Sequence, residues 1–352
     1  AVHRLVQLAA RALIEDANSW AEVAVNAARA IFPRAEFATW PLCERLLPHA
    51  RAALDALPRG AEPLAAADLA RRCANYLFAR GEYTESESLC TRALAIMEQL
   101  YGPDHPNITV GLNNLAVLYA ELGRFAEAEP LHTRALAIRE REWGPDVPLV
   151  AKTLYNLAIV YMELGRYEET EALHKRSLAI YEKSASPDDP ERLTGLAGLG
   201  VLYRMQGRYP EAAPLLERVL SIREERLGAD HPDVAMTLMH LADVYADSGR
   251  ATEAEALYLR ALAIWESALG PEHPDVAECL KGLGSMYGTQ GRYDEAEPLL
   301  ARALTIREKR LGPDHVWTKA TREALEAVAD ARLISSRYRR GVAEAERRDA
   351  IP

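Results

Sequence analysis

The sequence predicts an all-α fold of repeated helix pairs, and three observations predict it. Glycine recurs ahead of a basic and an aromatic residue in Gly123-Arg124-Phe125, Gly165-Arg166-Tyr167, Gly207-Arg208-Tyr209 and Gly291-Arg292-Tyr293, with looser members at Gly81-Glu82-Tyr83 and Gly249-Arg250-Ala251, all on a 42-residue period. A second mark keeps the same period through Gly102-Pro103, Gly144-Pro145, Gly228-Ala229, Gly270-Pro271 and Gly312-Pro313, with Ser186-Pro187 in the slot that lacks glycine. Between the marks apolar residues fall at helical spacing, as in Leu112, Leu115, Ala116 and Tyr119. A fixed period of this length signals stacked units, none of which buries its apolar face alone.

The elements follow in order. Residues 1–60 stand outside the period; they offer an apolar helix near Leu5 to Ile14, a second near Trp20 to Ile31, and then Pro33, Trp40, Pro41, Leu46 and Pro48, which read as short helices covering the first repeat. Residues 61–330 hold six repeats of two helices. Helix A opens at a segment such as His105-Pro106 and stops at Gly123, which can take the left-handed backbone that a helix terminus needs. Helix B runs from about Ala126, with Ala128, Leu131, Ala135, Leu136 and Ile138 facing inward, to Gly144-Pro145. Small residues at Ala116, Ala158, Gly200, Ala242 and Gly284 on helix A, and at Ala128, Ala212, Ala254 and Ala296 on helix B, let the paired helices approach. Pro130, Pro214 and Pro298 enter helix B in alternate repeats, near its start, where a missing N–H costs least. Trp317 to Leu333 reads as a capping helix, and residues 331–352, with Arg337, Arg339, Arg340, Arg347 and Arg348, as a polar tail.

Composition narrows the function. The 352 residues carry a formal charge of −10, which argues against a chain that gains affinity by neutralising phosphates, so nucleic acid is not an expected partner. Hydrophobic residues at 49% and charged residues at 27% are ordinary for a globular chain with an ample core. No run of about 18 apolar residues occurs, so no membrane partner is expected. Cys43, Cys73, Cys90 and Cys279 show neither a CxxC nor a secreted-domain spacing, which fits a reducing, cytoplasmic location.

The run Leu115-Ala116-x-x-Tyr119, Gly123-x-Phe125-x-x-Ala128 and Ala135 resembles the tetratricopeptide repeat, and the 42-residue form with Arg-Ala-Leu-Ala-Ile and Gly-Pro-Asp-His-Pro resembles its kinesin-light-chain type. The resemblance covers residues 61–330. It implies a right-handed α-solenoid of six helix pairs, in which helix A of every repeat lines a concave groove and helix B forms the outer face. The opening Val2-His3-Arg4-Leu5-Val6-Gln7 resembles the Met-His-Asp-type motif that closes the winged-helix part of NB-ARC domains in STAND-class signalling ATPases. In that family the histidine helps hold ADP, which makes His3 the nucleotide-contact candidate; here Val replaces Met and Arg replaces Asp. The alternative for this segment is a plain helical cap. No P-loop of the form GxxxxGK[ST] occurs, so an ATPase engine, if one belongs to this protein, lies upstream.

Nothing in the sequence predicts catalysis, a metal or a cofactor. His105, His231, His273 and His315 sit 42 residues or multiples apart on successive units, so they cannot converge on one ion; they read as loop and helix-start chemistry. Cys73 and Cys90 occupy core positions filled by Leu115 and His132 one repeat later. Arg92, Arg134, Arg176, Arg218, Arg260 and Arg302 on helix B read as outer-face partners of neighbouring glutamates.

Function therefore falls to helix A residues that the core leaves free. Turning Leu112, Leu115 and Tyr119 toward helix B leaves Val110, Asn113, Val117 and Ala120 on the opposite side, with Asn114 beside them. The equivalents are Lys152, Tyr155, Ile159 and Met162, with Asn156 beside; Val201 and Arg204; Met236, Met239 and Asp243; and Lys281. An amide offers donor and acceptor to a peptide bond, and Val117, Ile159, Met162, Met236 and Met239 supply an adaptable apolar floor. In kinesin-light-chain-like repeats an asparagine of helix A clamps an extended peptide, a role the resemblance gives to Asn113, Asn114 and Asn156. The expected partner is a protein or peptide. The leading reading is the sensor module of a STAND-type ATPase, relieved of autoinhibition by a groove ligand; the alternatives are a free-standing adaptor and a self-assembly module.

Overall fold

The computed structural model describes residues 17–36, 39–60, 62–184, 186 and 188–349, with side chains described between 20 and 338. The His3 motif and the expected helix near Leu5 to Ile14 lie outside the described residues. Fifteen α-helices and no strand occur among them, and no helix is long and apolar enough to cross a membrane. The chain divides into two compact units, Ala1–Val160 and Tyr161–Pro352.

In the first unit α1 (Ala17–Ile31) and α2 (Trp40–Asp55) precede the repeats. They cover the first pair, α3 (Leu64–Ala79) and α4 (Tyr83–Tyr101), as the prolines and tryptophans of that stretch predict. Trp40 meets Tyr76 edge to face at 6.5 Å, and Arg72 donates to the carbonyl of Phe32. Arg92 corrects an expectation here. It is buried instead of lying on an outer face, because α2 supplies the Leu54 carbonyl and Glu62 supplies a carboxylate at 2.8 Å from Nε. A short 3-10 turn (Pro106–Ile108) leads into α5 (Thr109–Glu121), followed by α6 (Phe125–Trp143) and α7 (Pro148–Glu163), which crosses the division.

The second unit continues with α8 (Tyr167–Ser184), α9 (Pro190–Met205), α10 (Tyr209–Leu227), α11 (Pro232–Asp247), α12 (Ala251–Leu269), α13 (Pro274–Thr289) and α14 (Tyr293–Leu311). The last helix, α15 (Val316–Asp349), runs well past the expected Leu333, and residue 331 falls inside it. Alanine, arginine and glutamate dominate residues 331–349 and no proline interrupts them, so nothing stops the helix. Within each unit an A helix packs on the B helix that follows, around a core of Leu, Ala, Val and Tyr.

The punctuation has a physical cause. Gly123 (φ 67°) and Gly102 (φ 89°) hold left-handed backbone at the ends of α5 and α4, a conformation that costs a residue with a Cβ far more than it costs glycine. At the first kind of stop the arginine amide reaches back five residues, as in Arg124 N–H to the Tyr119 carbonyl at 2.8 Å, the bond of a Schellman motif. The same arginine lays its guanidinium over the same tyrosine: 4.0 Å to the ring centre for Arg124 on Tyr119, and 3.6 to 3.8 Å for Arg166, Arg208, Arg250 and Arg292 on Tyr161, Tyr203, Tyr245 and Tyr287. Each also forks onto the glutamate three residues later, such as Arg208 to Glu211. One triplet thus turns the chain, stacks on the helix it leaves and pairs with a glutamate in the first turn of the helix it enters.

At the other stops, imidazoles start the helices. His105, His231, His273 and His315 each accept at Nδ1 from the backbone N–H two residues on, at 3.1 to 3.2 Å. This is the helix-start role the sequence predicts for them. Asp189 does the same work in one of the repeats that lack the histidine, accepting from Glu191 and Arg192.

The alternating prolines mark a second period. Nine residues after Pro130, Pro214 and Pro298 stand Arg139, Arg223 and Arg307, each at most 5% exposed. Each donates through Nη1 to a threonine hydroxyl fourteen residues ahead, Thr153, Thr237 and Thr321, and to a backbone carbonyl at the start of the same helix. In the intervening repeats these two positions hold Met97 with Gly111, Tyr181 with Gly195, and Trp265 with Cys279. The structural unit is therefore a pair of repeats, 84 residues long.

Candidate recognition groove

In the first unit, α3, α5 and α7 stand side by side over α4, and two separate hollows open along this face. Ser86 and Cys90 of α4 continue into Ala93, Met97 and Tyr101, one stripe along a single face of that helix. Asn75, Phe78, Asn113, Asn114, Val117, Lys152 and Asn156 wall a cavity of about 300 Å³ at the end nearer the glycine stops. Five of the sequence-predicted contacts, Asn113, Asn114, Val117, Lys152 and Asn156, are thereby brought together.

The amides form a chain across the helices. Asn114 donates Nδ2 to Asn75 Oδ1 at 3.1 Å, and Asn156 donates Nδ2 to Asn113 Oδ1 at 3.2 Å. Each bond uses one half of each side chain. Among the described residues, the Nδ2 of Asn75 and Asn113 and the Oδ1 of Asn114 and Asn156 take no protein partner, and none of these atoms is sealed from solvent. Two donors and two acceptors thus remain unspent on residues that line the cavity.

Burial changes the expected set in two places. Asn113 is only 5% exposed, since its position falls where adjacent A helices close on each other; it reaches the groove through the cavity wall alone. Met239, on α11, is packed into the hydrophobic core of the second unit and is corrected from groove contact to core residue. Tyr155, Ile159, Met162, Val201 and Lys281 are half-buried, while Lys152 and Met236 are exposed. Asn75 and Phe78 are the wall residues that sequence reasoning missed. Asn75 occupies the repeat position of Val117 and Ile159, so the period itself argued for an apolar residue there.

The second unit spends its groove charges on itself. Arg204 bonds Asp247 at 2.9 Å and lies 3.8 Å from Asp243, and Tyr258 donates its hydroxyl to Asp243. Burial pushes the Asp243 carboxyl above its ordinary range, against the pull of Arg204. Arg204 and Asp243 are consequently partners of each other before they are partners of a ligand. Glu278 is taken by Arg307. Lys281 makes no ion pair among the described residues.

The four cysteines are free and buried, and burial drives the thiols of Cys73 and Cys90 up to about 12 and about 11, far from a reactive thiolate. Among the described residues no group of three His, Cys, Asp or Glu could hold a metal ion.

Comparison with known proteins adds the following. The family model described as Tetratricopeptide repeat matches residues 65–141, 149–225, 233–309 and 285–333. No curated protein matches the chain. Among solved structures, a Podosopora anserina protein described as a kinesin light chain with nearly identical TPR-like repeats is 29% identical, over 58% of this chain and 97% of that one, with a TM-score of 0.45. A Rap protein complexed with Competence and Sporulation Factor is 17% identical over 77% of this chain and 71% of that one, at a TM-score of 0.61. The Rap conjugation gene regulator of plasmid pLS20, solved with the Phr* peptide, is 15% identical over 91% and 96%, at 0.60. The two Rap likenesses show a shared helical-repeat fold.

Proposed function

We propose, from the premise that the chain belongs to the tetratricopeptide repeat family, that it is a recognition module whose first unit grips the backbone of an extended peptide segment of a partner protein. The observation that carries this is the amide pairs Asn75–Asn114 and Asn113–Asn156, which line one cavity and keep unspent donors and acceptors. A peptide bond presents one N–H and one C=O, and the spare halves of two paired amides match that alternation without reading side chains. Phe78 and Val117 give an apolar side chain somewhere to rest, and Lys152 favours an acidic neighbour. The fold is one that in the pLS20 regulator is seen with a peptide.

The finer role rests on the Val2–Gln7 motif, which favours a sensor module of a STAND-type ATPase over an adaptor. In that setting a filled groove would favour one of two conformations by a few kcal/mol and so relieve autoinhibition. The free cysteines suit a cytoplasmic setting. A P-loop and winged helix encoded ahead of Ala1 would support the sensor role, and an unrelated domain there would leave the adaptor.

The groove is tested by panning the chain against a displayed library of random peptides. An enriched sequence family is expected, captured at least tenfold less well by the Asn114→Ala, Asn156→Ala double variant, whose helix content and melting stay unchanged. That loss corresponds to one or two buried hydrogen bonds left unmade, about 1–3 kcal/mol. Absence of enrichment, or capture indifferent to both substitutions, would remove the assignment.

A further inference from the structure

The larger hollow of the first unit lies beyond the amide chain, toward the helix starts. It measures about 710 Å³, within the roughly 300–1,000 Å³ range of small-molecule sites. Four large apolar side chains from four different elements, Leu64 of α3, Val110 of α5, Trp143 of α6 and Leu149 of α7, line it and stay 41% to 45% exposed. Scattered singly, such residues need no explanation; gathered around one cavity they form a surface that water covers at a cost. Ala93 and Met97 of α4 pave the bottom.

One end of this hollow is cationic. Arg29 of α1 and Arg71 of α3 line it together with Asp68. Asp68 is the only carboxylate among the lining residues, and it is shared by three guanidiniums: Arg71 at 2.5 Å, Arg72 at 3.0 Å and Arg29 at 3.8 Å. Three positive charges on one negative leave a surplus. Arg71 spends a single N–H on Asp68, and among the described residues its other N–H groups find no acceptor. A guanidinium can fork onto two oxygens at once, so Arg71 is set to bind an oxyanion at the edge of an apolar chamber.

We infer that this hollow is a second binding site, separate from the peptide groove, for a small amphipathic carboxylate whose apolar body lies against Leu64, Val110, Trp143 and Leu149 and whose carboxylate meets Arg71 and Arg29. The walls select for a bulky or long hydrocarbon; the surplus charge selects for an acid over a neutral ester or an amine. None of Asn75, Asn113, Asn114 and Asn156 lines this hollow, so the site stands or falls independently of the peptide reading.

Calorimetric titration with dodecanoate, below its micellar concentration, tests the site on the unaltered chain. The expected result is saturable one-to-one binding, with methyl dodecanoate and dodecanol at least tenfold weaker and octanoate weaker by more than tenfold, since each buried methylene is worth roughly fourfold. Arg71→Gln should bring dodecanoate down to the level of its methyl ester while leaving the ester unmoved. Trp143→Ala should weaken both. The Asn114→Ala, Asn156→Ala variant should bind dodecanoate normally. Equal binding of acid and ester, absence of saturation, or saturation by acidic peptides but not by dodecanoate would each overturn the inference. The comparison of acid with ester needs no variant, so a folding defect in Arg71→Gln cannot rescue it.

Discussion

Gly284→Val is expected to lower the stability of the second unit by about 3 kcal/mol, at the upper end of what overpacking a core costs. A Cβ on Gly284 would stand 2.9 Å from Leu300 Cγ and 3.3 Å from the Ala296 carbonyl, in a place where both α13 and α14 are sealed from solvent. Gly200 faces Leu216 with the same 2.9 Å approach. The sequence carries its own control. Where helix A has alanine at this position, the equivalent of Leu300 is Cys90 opposite Ala74, His132 opposite Ala116 or Tyr258 opposite Ala242, small or flat in each case. Where it has glycine, the partner is a branched leucine. The two positions trade volume, and a double-mutant cycle should show it: Gly284→Ala and Leu300→Cys together should cost less than the sum of the two alone. Urea unfolding followed by circular dichroism measures each term. Strict additivity, or a Gly284→Val penalty under about 1 kcal/mol, would mean that the helices separate easily and that their spacing is not set here.

Acidification from pH 6.5 to 4 should cost the chain about 3 kcal/mol for each of two histidines. His132 and His174 are fully buried, and burial holds their imidazoles neutral, with pKa values lowered to about 3 and about 4; Arg139 adds to the effect at His132. Neither ring nitrogen of His132 has a hydrogen-bond partner. In the unfolded chain both rings take a proton near pH 6.5. Between that pH and the folded values the unfolded state binds more protons than the native one, so stability is complete above about pH 6.5 and falls as pH drops toward 4. The surface carboxylates paired with arginine titrate lower; His240, held near 4 by burial, adds to the same limb, while Glu163, Asp243 and Asp275, raised by burial, work against it, so the two substitutions report the share of His132 and His174. His132→Cys with His174→Cys, a choice already present as Cys90, should flatten that limb of the curve. A wild-type profile level down to pH 4.5, or an unchanged slope in the variant, would contradict the assignment.

Periodicity made most of the fold legible. The glycines that end helices, the small residues where paired helices approach and the imidazoles that begin helix A recur too regularly to mean anything else, and each takes its expected place. Packing between units was less legible. Asn113 and Met239 share a repeat position that a single helical wheel turns outward, but a neighbouring A helix closes over it, and one helix cannot show what its neighbour covers. Arg92 is buried because α2 and Glu62 reach it, a fact of the first repeat alone. The apolar hollow could not be read at all, since its lining comes from six helices and a 3-10 turn, and Leu64, Val110, Trp143 and Leu149 taken singly are ordinary exposed side chains. The Pro–Arg alternation was visible in part: the prolines stood out, while the arginines hid among dozens of surface charges until burial separated them.

That alternation restricts how such a chain can change length. Excising 42 residues would join a segment ending in Arg223 to one beginning with Cys279, removing the hydroxyl that receives the guanidinium and leaving a desolvated cation in the join. Excising 84 would restore the match, bringing Arg223 against Thr321. Viable shorter and longer versions should therefore differ by even numbers of units, so that the ruler of this array is graduated in twos.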